Sequence, residues 1–156
     1  VAAGELDARR AVQLVRSHAA AWGLDPGKIG AMGFSAGGRL VVGLATAWDE
    51  GALDAADPVA RGSARPDFVA PVYAGMVGID LARVTAQTPP AFLVQACDDF
   101  LPVEGSVGLF QALRAAKVLV ELHLYGKGGH GFGLGVKGGA VTTWPALFEL
   151  WIKGLA

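Results

Sequence analysis

The chain has 156 residues, 53% of them apolar and 17% charged, with a formal net charge of −1 at pH 7. That length sets a single domain over 1–156, and the composition builds a buried core and excludes a disordered chain. The near-neutral charge and the absence of a Lys/Arg cluster exclude a nucleic-acid surface, and no apolar run reaches the ~20 residues of a membrane span. A single cysteine, Cys97, excludes an internal disulfide and leaves the compartment open. Val1-Ala2-Ala3-Gly4-Glu5 has neither the basic start nor the apolar stretch of a signal peptide. The chain also lacks an initiator Met, so a natural start upstream is expected.

Asp7 to Trp22 has the spacing of an amphipathic helix, with Ala8, Val12, Val15 and Ala19 on one face and Arg9, Gln13 and Arg16 on the other. Asp7 is read as its N-cap, Gly23 as its stop, and His18 as a surface or partly packed residue without a catalytic role. Asp25-Pro26-Gly27 is a turn, and Lys28 to Phe34 a short buried strand. Ala36 to Trp48 is a small, apolar helix of the kind that packs on a sheet. Asp49 to Pro66 is a polar connection with room for one helical turn. Phe68 to Tyr73 is a second strand, in which Pro71 points to an edge position or a strand end. Gly75 to Pro90 is a connection with a short helix around Asp80–Val84.

Ala91 to Ala96 is a third strand, apolar almost throughout, as a parallel strand covered on both faces should be. The loop Cys97–Pro102 leads to a helix over Val103–Ala116. A fourth strand, Val118 to Tyr125, alternates apolar residues with Glu121 and His123. A glycine-rich loop, Gly126 to Gly139, precedes a closing helix over Val141–Leu155. Strands separated by helical crossovers imply an α/β fold, a parallel sheet with helices on both faces.

The first strand runs into Gly33-Phe34-Ser35-Ala36-Gly37 and then a helix, the strand–turn–helix context of a nucleophile elbow. A turn this tight brings backbone close, so side chains at 33 and 37 would collide and glycine stands at both. It lifts the Ser35 hydroxyl above the sheet edge and leaves the Ala36 N–H facing the place where an oxyanion forms. Ligands of an open parallel sheet bind at the carboxyl ends of its strands. Ser35, Asp98 and His130 all fall at such ends, in the chain order Ser…Asp…His. A serine hydroxyl needs an imidazole to take its proton, and the imidazole needs a carboxylate to fix its tautomer.

His130 is the histidine at a strand's carboxyl end, whereas His123 lies within a strand and packs beside the sheet or faces solvent. Ligand spacing does not support a zinc site from these two. For the acid, Asp98 directly follows the strand-end Cys97 and is preferred; Asp99 is the alternative, otherwise a loop cap or helix N-terminal charge. Cys97 is read as a small buried filler. Gly133-Leu134-Gly135-Val136-Lys137-Gly138 has dinucleotide-fingerprint spacing but neither follows a strand directly nor opens a βαβ unit, and is discounted.

Three stretches carry a resemblance: Met32-Gly33-Phe34-Ser35-Ala36-Gly37-Gly38, the acid loop ending in Pro102-Val103-Glu104, and Glu121-Leu122-His123-Leu124-Tyr125 with Gly128-Gly129-His130-Gly131-Phe132-Gly133. Together they resemble the α/β-hydrolase esterases of the acetyl-xylan-esterase and hormone-sensitive-lipase-like type. The resemblance implies Ser35 as nucleophile, Asp98 as acid and His130 as base, with hydrolysis of short-chain or acetyl esters, often on carbohydrate, and neither cofactor nor metal. The expected partner is a small-molecule ester. Members of that family carry a His-Gly-Gly-Gly-type stretch ahead of the elbow and about eight strands, so this chain reads as a carboxyl-terminal portion. Its elbow strand would then have an open edge, a surface for self-association. A prolyl-oligopeptidase-type peptidase and an inactive fragment serving as a binding module are the alternatives. Acyl and alcohol preference, oligomeric state and compartment stay open.

Overall fold

The computed structural model describes residues 3–136 and 138–155. Val1 and Ala2 of the chain start, and Lys137 of the discounted glycine spacing, lie outside them. Four parallel strands, β1 (Gly30–Phe34), β2 (Phe68–Val72), β3 (Ala91–Ala96) and β4 (Val120–Tyr125), form one sheet in the order β1-β2-β3-β4. The helices are α1 (Ala3–Ser17), α2 (Ala19–Trp22), α3 (Ala36–Ala47), α4 (Glu104–Ala115) and α5 (Trp144–Lys153).

The sheet is buried on both faces. Val41 and Val42 of α3 and Leu109 and Leu113 of α4 pack with Val69 and Leu93 on one face. Trp144 and Trp151 of α5 pack with Val72, Phe92 and Val94 on the other. Val12 of α1 joins Ile29 and Leu44 in a third cluster beside the first face. Every residue of β3 is buried, as its apolar run requires. Phe92 has no exposed surface and meets the rings of His123, Phe148 and Trp151. Phe92→Ala is expected to lower unfolding free energy by about 3–5 kcal/mol, the cost of an aromatic-sized hole, measured by denaturant titration.

Three expectations are corrected. The first helix starts at Ala3, so Asp7 lies inside it and is not its N-cap. It also breaks at His18, because the Leu14 carbonyl, which accepts the His18 N–H at 3.2 Å, is claimed by the Ser17 hydroxyl at 2.9 Å as well. The chain resumes as α2 and stops at Gly23, whose φ of 67° only glycine adopts freely. Of the two positions expected for Pro71, the edge is corrected, because β2 is an internal strand, while the strand end holds, Pro71 being its next-to-last residue. The Val69 and Tyr73 N–H groups donate to Pro90 and Val94 on the β3 side, so position 71 also faces β3 and has no N–H to give. The two strands pair at Val69↔Ala91 and Val72↔Val94, on either side of the proline.

The connection 49–66 is organised by a residue that reads in sequence as helix surface. The Arg16 guanidinium donates to the carbonyls of Pro26, Ser63 and Arg65 and pairs with Asp67 at 2.8 Å. A long irregular segment must place its carbonyls somewhere, and one half-buried fork takes two of them, Ser63 and Arg65, together with that of Pro26. At the sheet's edge, β1 pairs with β2 alone among the described residues, and its Met32 is 39% exposed. No helix among the described residues is long and apolar enough to cross a membrane.

Candidate active site

β1 ends at Phe34 and α3 begins at Ala36, leaving Ser35 as the whole of the turn. Its backbone sits at φ 54°, ψ −115°, a conformation that a residue with a side chain adopts only under constraint. The constraint is visible: Ser35 N–H donates to the Val72 carbonyl at 3.0 Å, and the Ser35 carbonyl accepts from Arg39 N–H at 3.0 Å. A Cβ at Gly33 would lie 2.2 Å from the Gly37 carbonyl oxygen. A Cβ at Gly37 would meet nothing within 4 Å, which corrects the expected collision there. The second close approach falls at Gly38, where a Cβ would lie 2.9 Å from the Ala74 side chain. The reason is that α3 turns its 37–38 backbone onto Gly33, so position 37 faces outward while 38 faces the loop after β2. Gly33→Ala is expected to cost about 3 kcal/mol, since the clash is with backbone that cannot rotate away, and the drop in thermal midpoint measures it.

His130 stands on the loop after β4. Its Nε2 lies 2.8 Å from Ser35 Oγ, and its Nδ1 lies 3.0 and 2.9 Å from the two carboxylate oxygens of Asp99. The Asp99 side chain has no exposed surface, and that of His130 is 20% exposed. Asp99 Oδ1 also accepts the Leu101 N–H at 2.8 Å, which fixes the carboxylate plane. The carboxylate that meets His130 is thus that of Asp99, the alternative, and not that of Asp98, the preferred expectation. The loop after β3 turns these neighbours apart: Asp99 goes inward, and Asp98 goes outward against the histidine loop. Asp98 Oδ1 accepts the N–H of Gly128 at 2.8 Å and of Gly129 at 2.7 Å. The Gly129 N–H, followed by that of Gly128 and the charge of Lys127, holds the Asp98 carboxyl below the usual carboxylate range. A lowered carboxylate pKa contributes stability above the unfolded value, and that contribution is lost as pH falls through the folded value.

Aromatic side chains wall the site. Tyr73 follows β2 at φ 37°, its ring centroid 5.0 Å from that of His130. Its hydroxyl accepts the Gly133 N–H at 3.2 Å, and Trp144 Nε1 donates to the Gly133 carbonyl at 2.9 Å. Phe100 packs its ring 4.6 Å from His130 while remaining 77% exposed. Neither Tyr73 nor Phe100 stands out in the sequence; the available signal is that Tyr73 ends one predicted strand and Phe100 lies on the loop after the next. Ala36 opens α3, so its N–H is one of the donors that a helix's first turn leaves unpaired.

The remaining candidates separate from the site. His123 pairs with Glu121 at 2.6 Å on β4, and His18 stacks on Trp22. Cys97 is exposed rather than buried, because the ladder ends at its own N–H, bonded to the Tyr125 carbonyl at 2.7 Å. Gly133, Gly135 and Gly138 all have positive φ and serve as loop turns.

A four-stranded parallel sheet flanked by helices, with a strained serine at the strand–helix junction, is the arrangement around the nucleophile elbow of the α/β-hydrolase fold. A family model described as BD-FAE matches residues 2–75. The acetylxylan esterase of Xylanibacter ruminicola is 28% identical over 148 residues, which covers 83% of this chain and 31% of that protein. The crystal structure of an acetyl ester-xyloside bifunctional hydrolase from Caldicellulosiruptor lactoaceticus superposes with a TM-score of 0.91 at 33% identity, over 97% of this chain and 65% of that one. A putative carboxylesterase from Lactobacillus plantarum superposes at 0.75 and 28%, over 97% and 68%. The chain thus spans under a third of the curated relative and about two thirds of each of these solved structures. It is an α/β-hydrolase by fold, related to esterases of that fold.

Proposed function

We propose that this chain carries the catalytic groups of a carboxylic ester hydrolase acting on short-chain or acetyl esters, including those of xylan-type carbohydrate. The observation that supports it is the continuous relay from Ser35 Oγ through His130, at 2.8 Å, to Asp99, at 2.9 Å. Ser35 attacks the ester carbonyl while His130 Nε2 takes its proton. Asp99 holds the His130 Nδ1 proton and stabilises the imidazolium as it forms. The Ala36 N–H donates to the oxyanion. Collapse passes the proton from His130 to the leaving alcohol and leaves an acyl group on Ser35. His130 then deprotonates a water, which attacks the acyl carbonyl, releases the acid and restores Ser35. The acetyl and xylan assignment rests on what the related proteins are: an acetylxylan esterase and an acetyl ester-xyloside hydrolase.

The test has two parts. A fluorophosphonate should form an adduct that peptide mass spectrometry places on Ser35, and p-nitrophenyl acetate should be hydrolysed faster than a prolyl p-nitroanilide. An unlabelled Ser35 sinks the nucleophile. Faster anilide cleavage sinks the ester assignment in favour of a peptidase.

A further inference from the structure

Asp98 lies outside the relay, yet it is tied to it. We propose that Asp98 is a positioning residue, whose carboxylate clamps the Gly128 and Gly129 amides and thereby sets the entry of His130 into the site; this rests on the esterase reading above. The two bonds, 2.8 and 2.7 Å, end on one carboxylate oxygen and engage the two residues directly before His130. Gly129 and Gly131, on either side of His130, adopt φ of 60° and 74°, and a Cβ at either would meet nothing within 4 Å. Gly128 is packed, since a Cβ there would lie 2.6 Å from Val141 and 3.0 Å from Ala96, but nothing packs at Gly129 and Gly131, so beside the histidine backbone bonds hold the loop. Farther along, Gly133 is held by the Tyr73 hydroxyl and the Trp144 indole, so the loop has an anchor on each side of the histidine. Asp98 is the near anchor. Bonds from neutral N–H groups to a carboxylate are about twice as strong as those to a neutral acceptor. The lowered pKa of Asp98 agrees, since the same two amides favour its charged form. One short turn thus uses two adjacent acids on one loop, Asp99 on the imidazole and Asp98 on the backbone that delivers it.

Asp98→Ala, Asp98→Asn and Asp99→Asn separate the roles. Asparagine keeps an oxygen acceptor for two N–H groups but cannot stabilise an imidazolium. With p-nitrophenyl acetate, Asp98→Ala is expected to lower kcat ~10–100-fold with KM within about twofold, since a base misplaced by ~1 Å costs about that much. Asp98→Asn is expected to recover kcat to within about fivefold of the parent, the residue of the weaker neutral acceptor, while Asp99→Asn stays down ~10⁴-fold. A kcat for Asp98→Ala equal to the parent, or Asp98→Asn as impaired as Asp98→Ala, overturns the clamp. A second readout does not need turnover. In ¹⁵N-edited NMR spectra the Gly128 and Gly129 amide protons should move upfield and exchange faster in Asp98→Ala, and the His130 ring resonances should shift with them. Their staying in place overturns the clamp in its own right. An inert parent whose amides respond as expected sinks the esterase reading and leaves the clamp standing. Should the alanine variant not fold, the Asp98→Asn spectra and kinetics carry the same comparison.

Discussion

Ser35→Ala is expected to lower turnover of p-nitrophenyl acetate by about 10⁶-fold, the scale on which serine hydrolases lose a nucleophile that works as a unit with its base. Ser35 is the residue on which the strain converges. Its φ of 54° is held by the bond its N–H donates to the Val72 carbonyl and the bond its carbonyl accepts from Arg39 N–H, and its hydroxyl lies 2.8 Å from His130 Nε2. Alanine retains the Cβ and the elbow contacts, so the folded state should survive the change. The melting profile should match the parent, and the fluorophosphonate adduct should vanish. Retained hydrolysis with an intact fold would remove the covalent mechanism.

Asp99→Asn is the second large effect. The carboxamide can keep the shape and the bond from Leu101 N–H, which lies at 2.8 Å in the parent. It loses the charge that stabilises the imidazolium, and its amide N–H₂ faces His130 Nδ1 as a donor, which favours the wrong tautomer. A fall in kcat of about 10⁴-fold with little change in KM is expected. Stopped-flow measurement should show both acylation and deacylation slowed, because the proposed mechanism uses His130 as base in each. The Asp99 carboxylate has no exposed surface, so solvent cannot replace the missing charge. A loss of only a few-fold would show that Asp99 does not serve as the acid.

Much of this architecture is legible along the chain because its causes are local. The apolar run Ala91–Ala96 can only be a strand covered on both faces, and all six residues are buried. The alternation of strands with amphipathic helices leaves a parallel sheet as the simple solution, and the four strands line up in chain order. Gly33 is required by a collision within five residues of itself, so the elbow announces itself locally. Pro71 misleads for the opposite reason. Whether a missing N–H matters depends on which side of the strand faces a partner, and that is a property of the assembled sheet.

The residues of Gly-x-Ser-x-Gly, an acid pair after β3 and a histidine in a glycine loop were thus present in the sequence with their order and strand-end positions. Which acid meets the imidazole was not, because Asp98 and Asp99 have the same chemistry and adjacent positions. A loop turn sends one side chain inward to His130 and the other outward to Gly128 and Gly129. Nor could sequence alone find Arg16 holding the 49–66 connection, or Tyr73 and Phe100 beside His130. Periodicity and turn chemistry act over a few residues and are written into the chain. The pairing of a carboxylate with a partner some thirty positions away follows from packing, and only the folded structure decides it.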